Sequence, residues 1–419
     1  MSRRLKVLIS AYACSPYKGS EPGVGWGFVM ALARHHDLWV IVEEAKFRID
    51  IKQYLAEYPG LAKSVHFFFL RKERHRLLRK LWPPSYYWYY RRWHRNAYAL
   101  AQKLHREIDF DIAHQLTMVG FREPGYLWKL GIPFVWGPVG GMGVFPWRFL
   151  SKIGVYGAFY YLSYNLVNLW QINFSQRPKL AAKMAGVGLI AATPENQVGT
   201  EKYWGCTSTL ISEVGILDVA TQEISRRELY EPLRIVWTGL HIPRKALNLA
   251  LAALATLPKE LTWELHVLGK GPRTPAWQQL SKKLGVAEYC RFHGWLPRAS
   301  AMEIMSSGHL LLITSLRDLT STVTIEALAA GLPIICFDHC GFSGVVNDTC
   351  GIKVPVTTPE KSVAGLAKAI EELARNEDLR YELAKGAAQR SHDFSWEKKA
   401  ELVNNIYYQK LAEVERQTS

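Results

Sequence analysis

His309-Leu-Leu-Leu-Ile-Thr314-Ser315-Leu-Arg-Asp318-Leu-Thr-Ser-Thr-Val-Thr-Ile-Glu326-Ala-Leu-Ala-Ala-Gly331-Leu-Pro333-Ile-Ile-Cys-Phe337 is the stretch that decides the fold. Its two ends, 309–314 and 333–337, are short apolar runs that suit strands buried on both faces of a parallel sheet. Residues 322–330 between them follow a helical pattern. The loop carries Asp318, and the helix carries Glu326 eight positions later. Carboxylates so spaced can grip different hydroxyl-bearing parts of one ligand while the helix N-terminus meets its phosphates. An Asp that caps the helix beside a Glu that is simply buried gives the same spacing.

Working outward, further apolar runs lie at 234–238, 262–268 and 290–293, separated by helical patterns at 245–257, 275–284 and 298–307. An earlier series of the same kind lies at 5–10, 38–42, 65–70, 111–114, 133–136 and 188–192. Residues 210–219 read as an exit strand and 223–233 as a polar connector. Two series, each starting afresh, predict an α/β protein of two doubly wound, Rossmann-like domains facing a cleft. Residues 1–220 are assigned to the first domain and 221–395 to the second. The long amphipathic segment 396–419 is assigned to a helix crossing back to the first.

The 419 residues are 48% hydrophobic and 21% charged, which excludes a disordered or fibrous chain. The most apolar stretch, Val155 to Trp170, is short and carries Ser163, Asn165 and Asn168, so no spanning helix is expected. The run at Leu5 reads as a strand and not an export signal. Six scattered cysteines read as reduced thiols of a cytosolic protein. Cys336-Phe-Asp-His-Cys340 fits no common zinc spacing, and Asp109-Phe-Asp111 directly precedes a strand, so no metal is assigned to either.

The formal charge of +15 is uneven. Residues 1–220 hold 28 basic and 15 acidic residues, whereas 221–419 hold 24 and 22. An anionic partner is therefore expected on the first half. The excess concentrates around Arg79, Lys80, Trp82, Trp88, Arg91, Arg92 and Trp93, where cations interleave with aromatic rings. That mixture suits an anionic membrane surface, since indoles sit at headgroup level and cations meet lipid phosphate. It would also serve as an ordinary helix face, or stack on single-stranded nucleic acid. The apolar stretch Phe145 to Phe174 offers a second surface able to press into lipid.

Ala13-Cys-Ser-Pro-Tyr-Lys-Gly19-Ser-Glu-Pro-Gly23-Val-Gly25-Trp-Gly27 follows the first strand, with a helix expected from Phe28 to Arg34. Strand, glycine loop and helix make an anion cradle, because glycine permits close backbone approach and a helix start presents unpaired amides. The spacing fits neither the dinucleotide fingerprint nor the triphosphate loop, and a tight turn would use the same residues. Gly140-Gly141 reads as a backbone wall of a cleft, or simply as a turn.

Taken in order, these pieces resemble a known family. Ser315, Asp318, Glu326-Ala-Leu328, Gly331-Leu-Pro333 and Gly341 resemble the nucleotide-sugar signature of the family-four glycosyltransferases of GT-B fold, where two glutamates bracket seven residues. Trp237-Thr-Gly239-Leu-His-Ile-Pro-Arg244-Lys245-Ala-Leu247 is similar to that family's diphosphate loop. Leu268-Gly269-Lys-Gly271-Pro272 and Phe292-His-Gly294-Trp295 are similar to its nucleobase-side segments. Residues 10–23, Ala113-His114-Gln115 and Trp136-Gly-Pro-Val-Gly140-Gly141 match in order, so the resemblance spans most of the chain.

The resemblance implies retaining, metal-independent transfer of a sugar from a nucleotide-diphospho-sugar, with no cofactor beyond that donor substrate. By position, Lys245 with Arg244 would neutralise the diphosphate, Asp318 would contact the donor sugar and Glu326 would bind ribose. Thr320, Ser321 and Thr322 would supply amides or hydroxyls to phosphate, and Gly23, Gly239, Gly269 and Ser315 would complete the donor site. His114 would face the donor sugar from the first domain, acting with Asp318 and Lys245 in catalysis. Gly140 and Gly141 would form the acceptor side. Asp318 is one methylene shorter than the usual Glu, and Thr320 replaces a glycine. Leu240 replaces a diphosphate arginine, Ala246 replaces another glycine, and His241 or Arg244 would compensate. These departures imply a side branch with its own pocket chemistry.

The expected protein is a glycosyltransferase, peripheral on the cytoplasmic inner face of a membrane, that serves a lipid-linked or glycan acceptor. The alternative is a catalytically impaired GT-B scaffold that binds nucleotide or glycan. No nucleic-acid partner is expected, because no nucleic-acid module is present.

Overall fold

The apolar runs of the first half become one parallel sheet, made of β1 (Lys6–Ala11), β2 (Asp37–Glu43), β3 (Val65–Leu70), β4 (Ile112–Thr117), β5 (Phe134–Val139), β6 (Leu189–Ala191) and β7 (Thr209–Leu210). Those of the second half become β8 (Leu233–Thr238), β9 (Trp263–Leu268), β10 (Cys290–Gly294), β11 (Leu310–Ile313), β12 (Ile334–Phe337) and β13 (Gly351–Val354). The computed structural model describes residues 3–73, 85–216, 224–228 and 230–418. Among these, the strand orders are β3-β2-β1-β4-β5-β6-β7 and β10-β9-β8-β11-β12-β13. Every residue of β4, β5, β11 and β12 is buried, because helices cover both faces of each sheet. In both sheets the order reverses beside the first strand. A ligand crevice is therefore expected outside the carboxyl ends of β1 and β4, and of β8 and β11.

Three local expectations need correction. The expected strand at 210–219 is represented by two residues, Thr209–Leu210, and part of that range lies outside the described residues. β13 was not anticipated, since Gly351-Ile-Lys-Val354 is short and half polar. The first helix begins at Glu21 and runs to Leu32, not from Phe28. Pro22 and Glu21 favour a helical first turn, one by its fixed φ and the other by its charge. Gly23 thus lies in the first turn, where a Cβ would come 2.9 Å from the Lys18 carbonyl oxygen. A Cβ at Gly25 would strike the Ala13 carbonyl, and one at Gly27 the Trp396 indole. These glycines allow the helix to pack closely against its neighbours.

Two segments lie with the domain opposite to the one their place in sequence suggests. Phe145, Phe149, Ile153 and Tyr161 precede residue 220, yet they share one apolar core with Leu233, Trp237 and Phe337 of the second sheet. The last helix, Trp396–Thr418, returns to the first sheet. Its Trp396 ring meets Phe28 edge-on at 5.1 Å, and Lys410 Nζ donates to the Met184 carbonyl at 3.1 Å.

Gly27→Ala tests this docking. Alanine inside a helix ordinarily gains about 0.5–1 kcal/mol over glycine. Here the added methyl meets the Trp396 indole, so the sign is expected to reverse, with a loss of roughly 1–3 kcal/mol. The midpoint of urea unfolding reports it.

Candidate active site

The carboxyl ends of β8, β9 and β10 continue into Gly239, Gly269 and Gly294. Gly239 N donates to Leu268 O at 3.1 Å, and Gly269 N donates to Gly294 O at 2.7 Å. Gly269 has φ +103°, and a Cβ there would strike the Gly239 carbonyl. The result is a bare backbone floor. Lys245 lies across it, with Cε 3.4 Å from where a Cβ on Gly239 would stand.

Thr314 at the end of β11 fixes the lysine's backbone. Its hydroxyl accepts from Trp237 Nε1 at 3.0 Å and donates to Lys245 O at 3.0 Å. Ser315 beside it is buried. The loop then brings Asp318 onto the cations. Lys245 Nζ donates to Asp318 Oδ2 at 2.5 Å, and Arg244 Nη1 lies 3.1 Å from the same oxygen. Burial opposes the charge of Asp318, but Lys245 and Arg244 outweigh it and hold the carboxyl below its ordinary range. Asp318 is therefore held as a carboxylate. His241 adds no cation, since its ring packs against Trp237 and Trp277 and burial pushes its pKa down. Leu240, where an arginine was expected from the resemblance, is 49% exposed.

The helix start departs from expectation at Thr320. This residue is fully buried, and its amide and hydroxyl both donate to Glu213, at 2.8 and 2.9 Å. Its donors are spent on a carboxylate of the first domain and cannot serve a phosphate. Ser321, with φ +67°, and Thr322 stand at the start of the helix Thr322–Ala329. Glu326, inside that helix, is gripped by Arg298 Nη2 at 2.8 Å.

His114 is not in the cleft. It lies in mid-β4 with no exposure, Nδ1 2.7 Å from the Tyr407 hydroxyl and Nε2 2.8 Å from Gly137 O. Burial pushes its pKa down to about 4, so the neutral ring joins the last helix to β5. Trp93 also departs from its expected role. It is buried edge-on against Tyr12 at 4.9 Å and donates from Nε1 to Leu70 O at 2.8 Å. Arg91 and Arg92 pair with Glu123 and Glu73, each at 3.1 Å, while Trp88 is 55% exposed. Arg79, Lys80 and Trp82 lie outside the described residues.

The two domains meet at this loop. A Cβ on Gly140 would stand 2.8 Å from Leu319 Cδ2, so the glycine seats the Asp318 loop against the first domain. Gly141 follows with φ +91°. Glu195 Oε1 accepts from His339 Nδ1 at 2.6 Å and from the Cys340 amide at 2.9 Å. The Asp318 amide in turn donates to Cys340 Sγ at 3.2 Å. Glu195, His339 and Cys340 place possible metal-ligating atoms within 4.8 Å of one another, but here the carboxylate bridges the domains. Glu195, Glu213 and His339 carried no signal in the sequence, because each partner is more than a hundred positions away. A separate hollow lined by Pro194, Ser212, Gly341 and Lys399 does not include Lys245 or Asp318.

Two doubly wound parallel domains meeting at such a loop define a GT-B fold. Residues 226–390 match the model of the family "glycosyl transferases group 1". A D-inositol 3-phosphate glycosyltransferase of Corynebacterium kroppenstedtii is 29% identical over 202 residues, 45% of this chain and 44% of that protein. The chain thus matches less than half the length of its first curated relatives. The apo form of the lipopolysaccharide outer core galactosyltransferase WaaB has a TM-score of 0.63 at 14% identity, over 97% of this chain and 100% of that one. Anabaena Alr3699/HepE in complex with UDP and glucose has a TM-score of 0.55 at 15% identity, over 99% and 100%.

Two outcomes follow from this geometry. His114→Ala leaves Tyr407 and Gly137 without their buried partner and should cost about 1–3 kcal/mol in a denaturant melt. It should leave nucleoside-diphosphate affinity unchanged. The Glu195–His339 pair should give a pH signature. Burial works against both charges. Nevertheless, His339 and the Cys340 amide lower the Glu195 pKa, while Cys340 and Glu195 raise that of His339. The contribution of His339 is complete below its ordinary value of about 6.5 and is lost as pH rises toward the raised one. That of Glu195 is present above about 4.5 and is lost as pH falls. The stability gap between wild type and Glu195→Gln should therefore peak at about pH 5–6.5 and narrow in alkali, as thermal melts across pH would show.

Proposed function

We propose that the chain is a retaining glycosyltransferase that moves a sugar from a nucleotide-diphospho-sugar to a lipid-linked glycan acceptor at the cytoplasmic face of a membrane. The observation that carries this reading is the contact of Lys245 and Arg244 with Asp318 at the carboxyl ends of β8 and β11. A diphosphate brings more negative charge than one carboxylate and competes for both cations. Asp318, so released, becomes an acceptor for hydroxyls of the donor sugar. Lys245 and Arg244 then stabilise the charge that grows on the leaving diphosphate, aided by the start of the helix Thr322–Ala329. Glu326 is assigned to the ribose and Arg298 to its orientation. Retention is assigned because the Asp318–Glu326 spacing resembles the nucleotide-sugar signature of the family-four glycosyltransferases. A uridine nucleotide is the first donor to test, since the HepE neighbour is described with UDP.

The lipid-linked acceptor is supported by the basic excess of the first half. A second reading, a scaffold that binds nucleotide without transfer, draws on Leu240 in the place of a diphosphate arginine. Turnover separates the two.

Lys245→Ala is expected to lower transfer or donor hydrolysis by roughly 10²–10³-fold. It should also abolish the rise in melting temperature that a nucleoside diphosphate gives the wild type. Glu326→Ala should weaken donor binding with the fold intact. Full turnover in purified Lys245→Ala would overturn the donor site, and nucleotide binding without turnover in the wild type would select the scaffold.

A further inference from the structure

The helix Val155–Phe174 is built inside out. None of its 20 residues is charged. In a helix packed on a water-soluble domain the apolar stripe faces the core and polar side chains face water. Here Asn165 and Asn168 are fully buried, whereas Val155, Phe159, Leu166, Val167, Trp170 and Phe174 are 53–91% exposed. The orientation is fixed by hydrogen bonds. Asn165 Oδ1 accepts from Phe145 N at 2.9 Å, and its Nδ2 donates to Phe145 O at 2.8 Å. Asn168 Nδ2 donates to Gly143 O at 3.1 Å, and its Oδ1 accepts from Arg122. Rolling the helix to hide its apolar face would carry both side chains into water and leave the Phe145 N–H and C=O and the Gly143 carbonyl without these partners, at a cost comparable to that of any unpaired buried amide. The next helix, Gln176–Ala185, also exposes large apolar side chains, Leu180 and Met184.

Charge selects what covers this face. Between Glu123 and Glu195 the chain carries six lysines and arginines and no aspartate or glutamate. Arg148 and Lys183 are exposed at either end of the helical pair. A second copy of a chain with formal charge +15 would bring the same cations onto themselves. An anionic bilayer brings phosphate to them and hydrocarbon to the apolar side chains. Among the described residues no helix is long and apolar enough to cross a membrane, so this one would lie in the interface plane.

We propose that the outward face of Val155–Phe174, together with Leu180 and Met184, is an interfacial helix that seats this protein on an anionic membrane. The inference deepens the reading of a lipid-linked acceptor and rests on it. The inner edge of the same helix touches the donor-side loop. Arg317, next to Asp318, lies 3.8 Å over the Tyr164 ring and donates to its hydroxyl. A helix is about 10 Å thick. Seating its outer face in lipid therefore sets the Asp318 loop about one helix diameter from the headgroups, within reach of a membrane-borne acceptor.

The test is co-sedimentation of the full chain with vesicles of phosphatidylcholine, alone or mixed with phosphatidylglycerol. The variants are the double substitution Phe159→Ser with Trp170→Ser, and Trp88→Ser. Wild type is expected to partition onto the anionic vesicles, the double variant at least tenfold less, and Trp88→Ser about as wild type. Melting temperature and nucleoside-diphosphate binding should be unchanged in the double variant, because both side chains point into solvent. Equal partition of wild type and double variant onto anionic vesicles would overturn the helix assignment and leave the membrane reading standing. Transfer to a detergent-dispersed lipid-linked acceptor without vesicle binding would also overturn it while sparing the acceptor. A wild-type dimer that becomes monomeric in the double variant would assign the face to a second copy, and the proposal would fall.

Discussion

Two cations, Arg244 and Lys245, stand side by side at the ends of β8 and β11, and Lys245 is almost wholly removed from water. A buried ammonium costs several kcal/mol unless a countercharge meets it. Asp318 supplies that charge, through one oxygen shared by both cations. Much of the second domain's loop structure serves this arrangement. The glycine floor lets Lys245 lie flat, Thr314 pins the lysine's carbonyl, and Cys340 takes the Asp318 amide. In the proposed function, the diphosphate of a donor would take the place of Asp318 as the anion over these cations.

The first domain holds the loop from the other side. Glu213 takes both donors of Thr320, Glu195 takes His339 and the Cys340 amide, and Gly140 abuts Leu319. Domain opening would break charge-assisted hydrogen bonds within a few residues of Asp318. Relative motion of the domains and the chemistry of the loop are therefore coupled through short contacts. The inverted helix adds a third attachment, because Tyr164 on its inner edge holds Arg317.

The two sheets were legible because buried parallel strands leave continuous apolar runs, and the Asp318–Glu326 spacing was legible because loop and helix are contiguous. What the sequence hid is mostly long-range. The position of His114 suggested the cleft, but its partner Tyr407 is 293 residues away, and only packing shows that the ring turns toward the last helix. Thr320 looked free for phosphate until Glu213 was brought against it. Trp93 sits among exposed cations in sequence, and the helical turn hides it while leaving Trp88 outside. Gly23 looked like loop because three glycines discourage a helix, yet their missing side chains are what let this helix pack so closely. Phe145 to Phe174 showed its apolar character in composition. Its inversion became visible only once Asn165 and Asn168 were placed inside.

The most direct measurement is a crystal structure with a nucleoside diphosphate bound. The account predicts the terminal phosphate within hydrogen-bonding distance of Lys245 Nζ and Arg244, near the start of Thr322–Ala329, with Asp318 turned away from both cations. A diphosphate bound elsewhere, with the Lys245–Asp318 contact intact, would contradict it.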